Sequence, residues 1–328
     1  MVWLWVILGL VLLGIFIYWQ LIIAEGAYLG RRVVTYLYDV YANAYDNIKE
    51  FDAYYEQSFL GLPLSRKLSM VPDPLVLDVA TGTARLPRAL FGQAGSQRGT
   101  GFHGRVIGLD LSRKMLKQGV RRTRPWASQI TFIWQDASHL PFPDATFDAV
   151  ACMEALEFMP DPLGVLTELA RVLRPGGILL TSNRIGRDAR FMPGRTFSPQ
   201  EFESHLRALP LEMIRTQPWQ VDYDLIWAVK QGISRPTGMR RLEEILRCPR
   251  CGAAMRRTPR SETFGEQEEC VERFGEQPWS EIFGEQEEKT ETFDARKKRS
   301  EVSDEREVFT CENGHIYPVA KDGVIELA

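Results

Sequence analysis

The chain has 328 residues, 45% of them hydrophobic, which exceeds the usual single domain of about 100 to 200 residues and is ample for a buried core. A formal net charge of −3 supplies no overall attraction to phosphate backbones and argues against nucleic acid as the principal partner.

The first segment, residues 1–24, reads MVWLWVILGLVLLGIFIYWQLIIA, with Gln20 as its one strongly polar side chain. A bilayer needs about 20 such residues, whereas a cleavable signal has an apolar region of about 7 to 15. No basic stretch precedes it and no convincing small-x-small cleavage site follows. A single membrane-spanning helix is therefore expected, with a cleaved signal and a buried core helix as the alternatives. Trp3, Trp5, Tyr18 and Trp19 near its ends suit interfacial anchoring. Arg31 and Arg32 lie just beyond it, so the positive-inside bias places the bulk of the chain on the cytoplasmic face of the cell membrane.

Residues 25–70 are dense in aromatics and read as amphipathic helices. Most of these rings are expected to pack on the body of the protein. Part of the segment can instead form a lid that brings a lipid-soluble substrate from the bilayer.

Leu75 to Pro87, LVLDVATGTARLP, is a short apolar strand running into a Gly/Ala/Thr turn and a helix. Gly82 lets the backbone approach a ligand while the helix opens with free N–H groups. The second strand, VIGLDLS from Val106 to Ser112, ends on Asp110, which can accept hydrogen bonds from ribose hydroxyls. The pattern predicts an α/β, Rossmann-like doubly wound sheet with a nucleoside-containing cofactor at its switch point. The turn begins on a carboxylate, Asp78, which would repel a pyrophosphate and suits a cofactor bearing an ammonium group. S-adenosylmethionine fits and NAD does not. The long gap between Asp78 and Asp110 is explained by FGQAGSQRGTGFHG, Phe91 to Gly104, read as a surface loop that the fold tolerates.

Further motifs follow in order: YANAYD (Tyr41 to Asp46), QDASHLPFPDATFDAV (Gln135 to Val150), MEALEFMPDP (Met153 to Pro162) and RVLRPGGILL (Arg171 to Leu180). Together with DVATGTA and GLDLS, this series resembles the class I S-adenosylmethionine-dependent methyltransferases, especially the branch with quinone-biosynthesis enzymes. The resemblance implies a seven-stranded sheet, with residues 71–232 as the methyltransferase domain. It also implies that the turn of Asp78, Ala80, Thr81, Gly82 and Thr83 holds the methionine moiety and Asp110 the ribose. Leu111 and Met115 would cover the adenine, Asp136 and Ala137 its amino edge. Glu154 and Ala155 would lie next to the sulfonium, and Tyr45 would close from the N-terminal side. Three positions depart from the family: Ala80 and Ala84 stand where glycine is usual, and Phe158 where many relatives carry histidine.

Methyl transfer from a sulfonium rests on alignment and exclusion of water, and a base is needed only if the nucleophile must lose a proton. His139 is read as packing at a turn and Cys152 as core in an apolar strand, so no catalytic side chain is named. Beyond the fifth strand, Arg184 to Phe197 carries four arginines in a loop at the substrate-choosing edge of such folds. It reads as a solvated loop or as a contact for an anionic or membrane-associated substrate. Ser198 is the expected cap of the helix that follows, and Leu211 to Lys230 the last strand pair.

The C-terminal part, residues 240–328, carries a second motif. Cys248 and Cys251 in RCPRCG, with Cys311 and His315 in CENGH, are four ligands that suit tetrahedral zinc. A redox C-x-x-C is the alternative, but no thioredoxin-like strand and helix surround it. The two halves resemble the small zinc ribbon of methyltransferase-activator proteins. They are separated by a charged insertion, residues 256–307, that repeats FGEQ at Phe264, Phe274 and Phe283, holds Cys270, and is expected to be disordered or loosely helical.

A membrane-anchored methyltransferase for a lipid-soluble small molecule, such as a quinone precursor or a polyprenyl or glycolipid intermediate, is the function expected. A methyltransferase for RNA or protein that uses the ribbon for recognition or activation is the alternative. A cofactor-binding scaffold without catalysis comes last. The sequence leaves the acceptor atom and the oligomeric state open.

Overall fold

The computed structural model describes residues 2–92, 100–238, 240–260 and 307–328. The three FGEQ repeats and Cys270 lie outside the described residues, as do the expectation of disorder for most of that insertion and the middle of the loop before the second strand.

The chain opens with α1 (Val2–Tyr18), extended by a π-helical turn, Trp19–Ile23. The 22 residues Val2–Ile23 form one apolar helix about 33 Å long at 1.5 Å per residue, enough to cross a bilayer core by length and composition. Its side chains up to Tyr18 are exposed, so it contributes nothing to the protein core. The aromatic-rich segment forms α2 (Arg31–Tyr41), α3 (Tyr45–Ile48), α4 (Ala53–Glu56), a π-helical turn over Gln57–Gly61 and α5 (Leu62–Leu68).

An alternation of strands and helices follows: β1 (Leu75–Val79), α6 (Arg85–Phe91), β2 (Arg105–Asp110), α7 (Arg113–Arg122), β3 (Ile130–Trp134), β4 (Phe147–Cys152), α8 (Pro162–Val172) and β5 (Leu173–Arg184). Then come α9 (Gly186–Ala189), α10 (Pro199–Arg207), β6 (Leu211–Trp219) and β7 (Tyr223–Lys230). Ser198 caps α10 in a reciprocal capping box with Glu201.

These seven strands lie in the order β3-β2-β1-β4-β5-β7-β6. The first five pair in parallel, and β7 runs antiparallel to both β5 and β6. This is the Rossmann-like doubly wound sheet of the methyltransferase fold. The chain reverses its winding between β1 and β4, which opens a crevice at their carboxyl ends. Strand β1 is buried on both faces, and its alternation divides the core. Leu75, Leu77 and Val79 face α8 and α10, while Val76 faces the side of Leu64, Leu68, Leu86 and Leu90 from α5 and α6. Gly61 sets how closely the N-terminal helices approach: a Cβ there would lie 1.9 Å from the Ala89 carbonyl oxygen of α6.

The C-terminal part adds α11 (Leu242–Ile245) and a three-stranded antiparallel sheet of β8 (Met255–Pro259), β9 (Glu307–Cys311) and β10 (Ile316–Pro318). Strand β8 occupies the first residues that the sequence reading assigned to the insertion. After β10 the chain leaves this small sheet, and β11 (Ile325–Glu326) pairs in parallel with β3 as an eighth strand of the main sheet. The N–H groups of Leu327 and Ala328 both donate to the Trp134 carbonyl at 3.0 Å. Arg113 on α7 grips Asp322 and Glu326 from the side. Ile245, Leu246, Met255, Phe309, Ile325 and Leu327 share one apolar cluster with the sheet, so the ribbon is continuous with the core. An exposed edge strand invites unwanted pairing, and β11 covers this one with chain from the same molecule.

Ile325 is 2% exposed, and Ile325→Ala is expected to cost about 2–4 kcal/mol. A several-degree fall in Tm checks this, with Glu326→Ala, a partly exposed ion-pair partner, costing under about 1 kcal/mol.

Candidate functional site

A cavity of about 530 Å³ lies at the carboxyl ends of β1, β2 and β4, and a smaller one of about 40 Å³ adjoins it. They share Tyr45, Ala80, Gly82, Met153 and Glu154 as common walls. The large cavity reaches Asp110, Leu111, Met115, Asp136, Ala137 and Ala155, and the small one Asp78, Thr81 and Thr83. Every residue that the sequence singled out for the cofactor therefore lines one of two connected spaces.

The local backbone explains the shape. The turn after β1 places Ala80, Gly82 and Ala84 in left-handed conformations, at φ 55°, 54° and 63°. Glycine is unstrained there, and alanine costs about 1–2 kcal/mol. The Ala80 and Ala84 exchanges thus load the backbone. Glu154, at φ 50°, is held the same way, its N–H donating to Ser182 Oγ at 2.6 Å. Strain of this kind persists only where the surroundings enforce it.

Asp110 accepts the Gly82 N–H on one oxygen, at 2.8 Å, and the Ser112 N–H on the other, at 2.7 Å. A carboxylate offers about four acceptor sites, so two remain for donors in the cavity. Burial pushes its pKa up to about 6 against those backbone hydrogen bonds. Asp78 accepts the Thr81 hydroxyl at 2.5 Å. Burial raises it to about 7, with the charge of Asp110 adding to the rise. Asp136 differs: burial acts to raise it, but hydrogen bonds from Ser138 and the Arg31 guanidinium hold it below the usual carboxylate range. Beside it, Gln135 Oε1 is buried without a hydrogen-bond partner on the wall of the cavity. An orphaned acceptor of this kind calls for a donor from a ligand or water.

Several wall residues carried no signal in the sequence. Arg85 is clamped by both oxygens of Glu56, at 2.6 and 2.7 Å, and donates to Glu154 at 2.6 Å. Trp219 Nε1 donates to the same Glu154 oxygen at 3.0 Å, and the Phe51 ring lies 4.1 Å from the guanidinium. Two further ties fix the N-terminal helices over the cavity, Ser112 to Asp39 at 2.5 Å and Thr83 to Asp46 at 2.6 Å. The outer wall is Gly30, Val34, Thr35 and Tyr38 of the α2 region facing Phe158 and Met159. Burial holds the Tyr38 and Tyr45 phenols far above their ordinary range, so both are donors and not bases at neutral pH.

Among the described residues, no histidine or cysteine lines either cavity. His139, expected to pack at its turn, is instead exposed and stands 4.0 Å from Glu168 outside the cavity. Cys152 is buried in β4 with its thiol pKa pushed up by burial, which suits a core residue.

The second cluster gathers Cys248, Cys251, Cys311 and His315, whose ligand atoms all lie within 4.8 Å of one another. The Cys251 and Cys311 sulfurs are 3.7 Å apart, and His315 Nδ1 lies 3.4 Å from the sulfurs of Cys248 and Cys311. With Zn–S near 2.3 Å and Zn–N near 2.0 Å, a tetrahedron has edges of about 3.8 Å and 3.5 Å. The donor set and spacing fit that ion.

Residues 77–181 match the family model described as Methyltransferase domain. A demethylmenaquinone methyltransferase of Lysinibacillus sphaericus is 40% identical over 115 residues, which cover 35% of this chain and 46% of that protein. A second, from Staphylococcus saprophyticus, is 32% identical over 147 residues, 44% of this chain and 60% of the relative. The chain thus spans about half the length of the curated relatives it matches. A SAM-dependent methyltransferase structure from Aquifex aeolicus overlaps 55% of this chain and 99% of that one at 20% identity. Its TM-score of 0.41 is too low to add to the strand order.

Ionised Asp110 accepts ribose donors, and ionised Asp78 an ammonium, more strongly than the neutral carboxyls would, and their raised values place that change near pH 6 to 7. S-adenosylmethionine affinity is expected to rise between pH 5 and 7.5, and titration calorimetry across that range checks it. For the ligand-free protein the sign is opposite. The contribution of these two groups to stability is full below the unfolded value of about 3.9 and is lost as pH rises through 6 to 7. Arg85→Ala leaves two buried carboxylates unpaired and is expected to cost about 3–5 kcal/mol of stability by denaturant titration.

Proposed function

We propose that this protein is a membrane-anchored S-adenosylmethionine-dependent methyltransferase acting on a lipid-soluble small molecule of the quinone-precursor kind. The observation that carries it is the position of the cavity. One side is the switch point of the sheet within the segment that matches the methyltransferase domain. The other is α2, which follows the apolar helix after a short turn. The named demethylmenaquinone methyltransferases support a quinone-like acceptor, and the apolar wall of Val34, Phe158 and Met159 agrees.

The cofactor would supply an electrophilic methyl group on a sulfonium. Asp110 would take the ribose with its two remaining acceptor sites, Leu111 and Met115 the adenine faces, and Asp136 with Gln135 the polar edge of the base. The turn from Asp78 to Thr83 would hold the methionine end, its carboxylate matched to an ammonium. Ala137 would lie beside Asp136 at the polar edge, and Glu154 and Ala155 would line the reacting side, with Tyr45 above. The open acceptor positions on Asp110 are the feature that fits this ligand. Alignment and exclusion of water by the N-terminal helices are what the protein adds to an in-line displacement.

The domains proposed are a span at residues 1–24, a helical roof at 25–70, the methyltransferase domain at 71–232 and the ribbon at 240–328, the last holding structural zinc on Cys248, Cys251, Cys311 and His315. Arg31 and Arg32 support a cytoplasmic catalytic domain. The shared core of ribbon and sheet supports a structural role for the ribbon over RNA or protein recognition.

Incubation of the full chain with methyl-labelled S-adenosylmethionine and membrane extracts tests the reading. Label is expected in the organic, lipid-soluble fraction and is expected to vanish with Asp110→Ala. Label confined to RNA or protein would overturn the lipid preference. Metal analysis is expected to find one zinc per chain, and its removal by a chelator to lower Tm, because metal-binding free energy is folding free energy here.

A further inference from the structure

The arginine-rich loop that follows β5 is not absorbed by the cavity. Its residues Gly186 to Arg195 carry Arg187, Arg190 and Arg195 against one acid, Asp188. The Arg187 side chain is 89% exposed, Arg190 is exposed, and Phe191 is 52% exposed between them and the base of the apolar helix.

This loop is fastened to the end of that helix. Trp19 Nε1 donates to the Phe191 carbonyl at 2.9 Å, and the Tyr28 hydroxyl donates to the Pro193 carbonyl at 2.8 Å. Arg195 donates to the Ala27 carbonyl at 3.2 Å and lies over the Tyr28 ring. Met192 is wholly buried against Ala24, Ala27 and Phe158. The backbone of Phe191 is thus level with Trp19, the residue type that seats at the boundary between hydrocarbon and headgroups.

We propose that Gly186 to Arg195 is a second membrane contact, with Phe191 entering the interface and Arg187 and Arg190 binding the headgroups of anionic phospholipids. The inference rests on reading Val2–Ile23 as a membrane span, since that span sets the plane in which the loop lies. Arg32, exposed at the start of α2, adds positive charge beside the same anchor. Each arginine near an anionic surface is worth about five-fold in association. A single apolar helix leaves the body free to swivel, whereas two contacts fix it. The cluster that holds the loop also packs on Phe158, Val34 and Tyr38, so the outer wall of the cavity would be held against the bilayer.

The test uses the full chain in vesicles, carrying the photo-crosslinker p-benzoylphenylalanine in place of Phe191, Phe16 or Ile233. Ile233 is 97% exposed and lies beyond the end of β7, at the opposite end of the paired strands β5 and β7 from the loop. In vesicles of phosphatidylcholine and phosphatidylglycerol in equal parts, lipid adducts are expected at positions 16 and 191 and not at 233. The yield at 191 is expected to fall at least five-fold in pure phosphatidylcholine, and equally in the Arg187→Glu, Arg190→Glu double variant, with position 16 unchanged. Adducts at 16 without adducts at 191, or a yield at 191 indifferent to lipid charge, would overturn the inference and leave the anchor standing. Absence of adducts at both would overturn the anchor as well.

Discussion

Arg85 sits where a bare charge could not. Its guanidinium is buried between Glu56, Glu154 and the faces of Phe51 and Trp219, groups that come from three parts of the chain: the N-terminal helices, the turn after β4 and the end of β6. Removing the guanidinium would strand both carboxylates in a low-dielectric setting, and removing either carboxylate would leave the guanidinium short of a partner, so the groups depend on one another. This clamp joins the N-terminal helices to the sheet and holds Glu154 in its left-handed conformation at the floor of the cavity. Without that clamp the turn after β1 would be an open crevice, as the sheet alone makes it. With it, the crevice has a roof, and chemistry that depends on alignment and dryness has somewhere to occur.

The eighth strand shows the same economy at the other edge. The sheet would end at β3, whose carboxyl end leads directly into Gln135 and Asp136 on the cavity wall. Instead β11 pairs with β3, and Arg113, one residue past the cavity-lining Ser112, is held by Asp322 and Glu326 of the ribbon. A fold change in the ribbon would reach the polar edge of the cavity through one strand. The four-ligand cluster, spaced as a tetrahedron, lies within that same body of packed side chains.

The proposed membrane anchor and the cavity are joined by very little chain. Between Ile23 and Arg31 the backbone turns through left-handed Glu25, Gly26 and Gly30, and α2 then runs along the cavity as its wall. Arg31 itself bonds Asp136, so the first residue of α2 touches the polar edge of the same space. This nearness gives physical content to the proposed lid for lipid-soluble substrates.

Much of the fold was legible because its signals are local. The apolar run at the N-terminus, the strand-turn-helix of LVLDVATGTARLP, the acidic end of β2, the Ser198 cap and the C-x-x-C and C-x-x-x-H spacings each lie within one short window. Backbone geometry and ligand chemistry act over such windows. The residues proposed to hold the cofactor lie in such windows or in the short motifs around Tyr45, Asp136 and Glu154, and all of them line the cavities. What the sequence could not display is pairing across distance. The Arg85 clamp joins residues 29 and 69 positions apart, Asp136 finds Arg31 105 positions away, and β11 meets β3 almost two hundred residues later. No spacing rule encodes such contacts. Desolvated charges and an unsatisfied sheet edge select their partners only once the chain has collapsed, so the roof, the eighth strand and the loop bound to the N-terminal apolar helix were decided by tertiary structure.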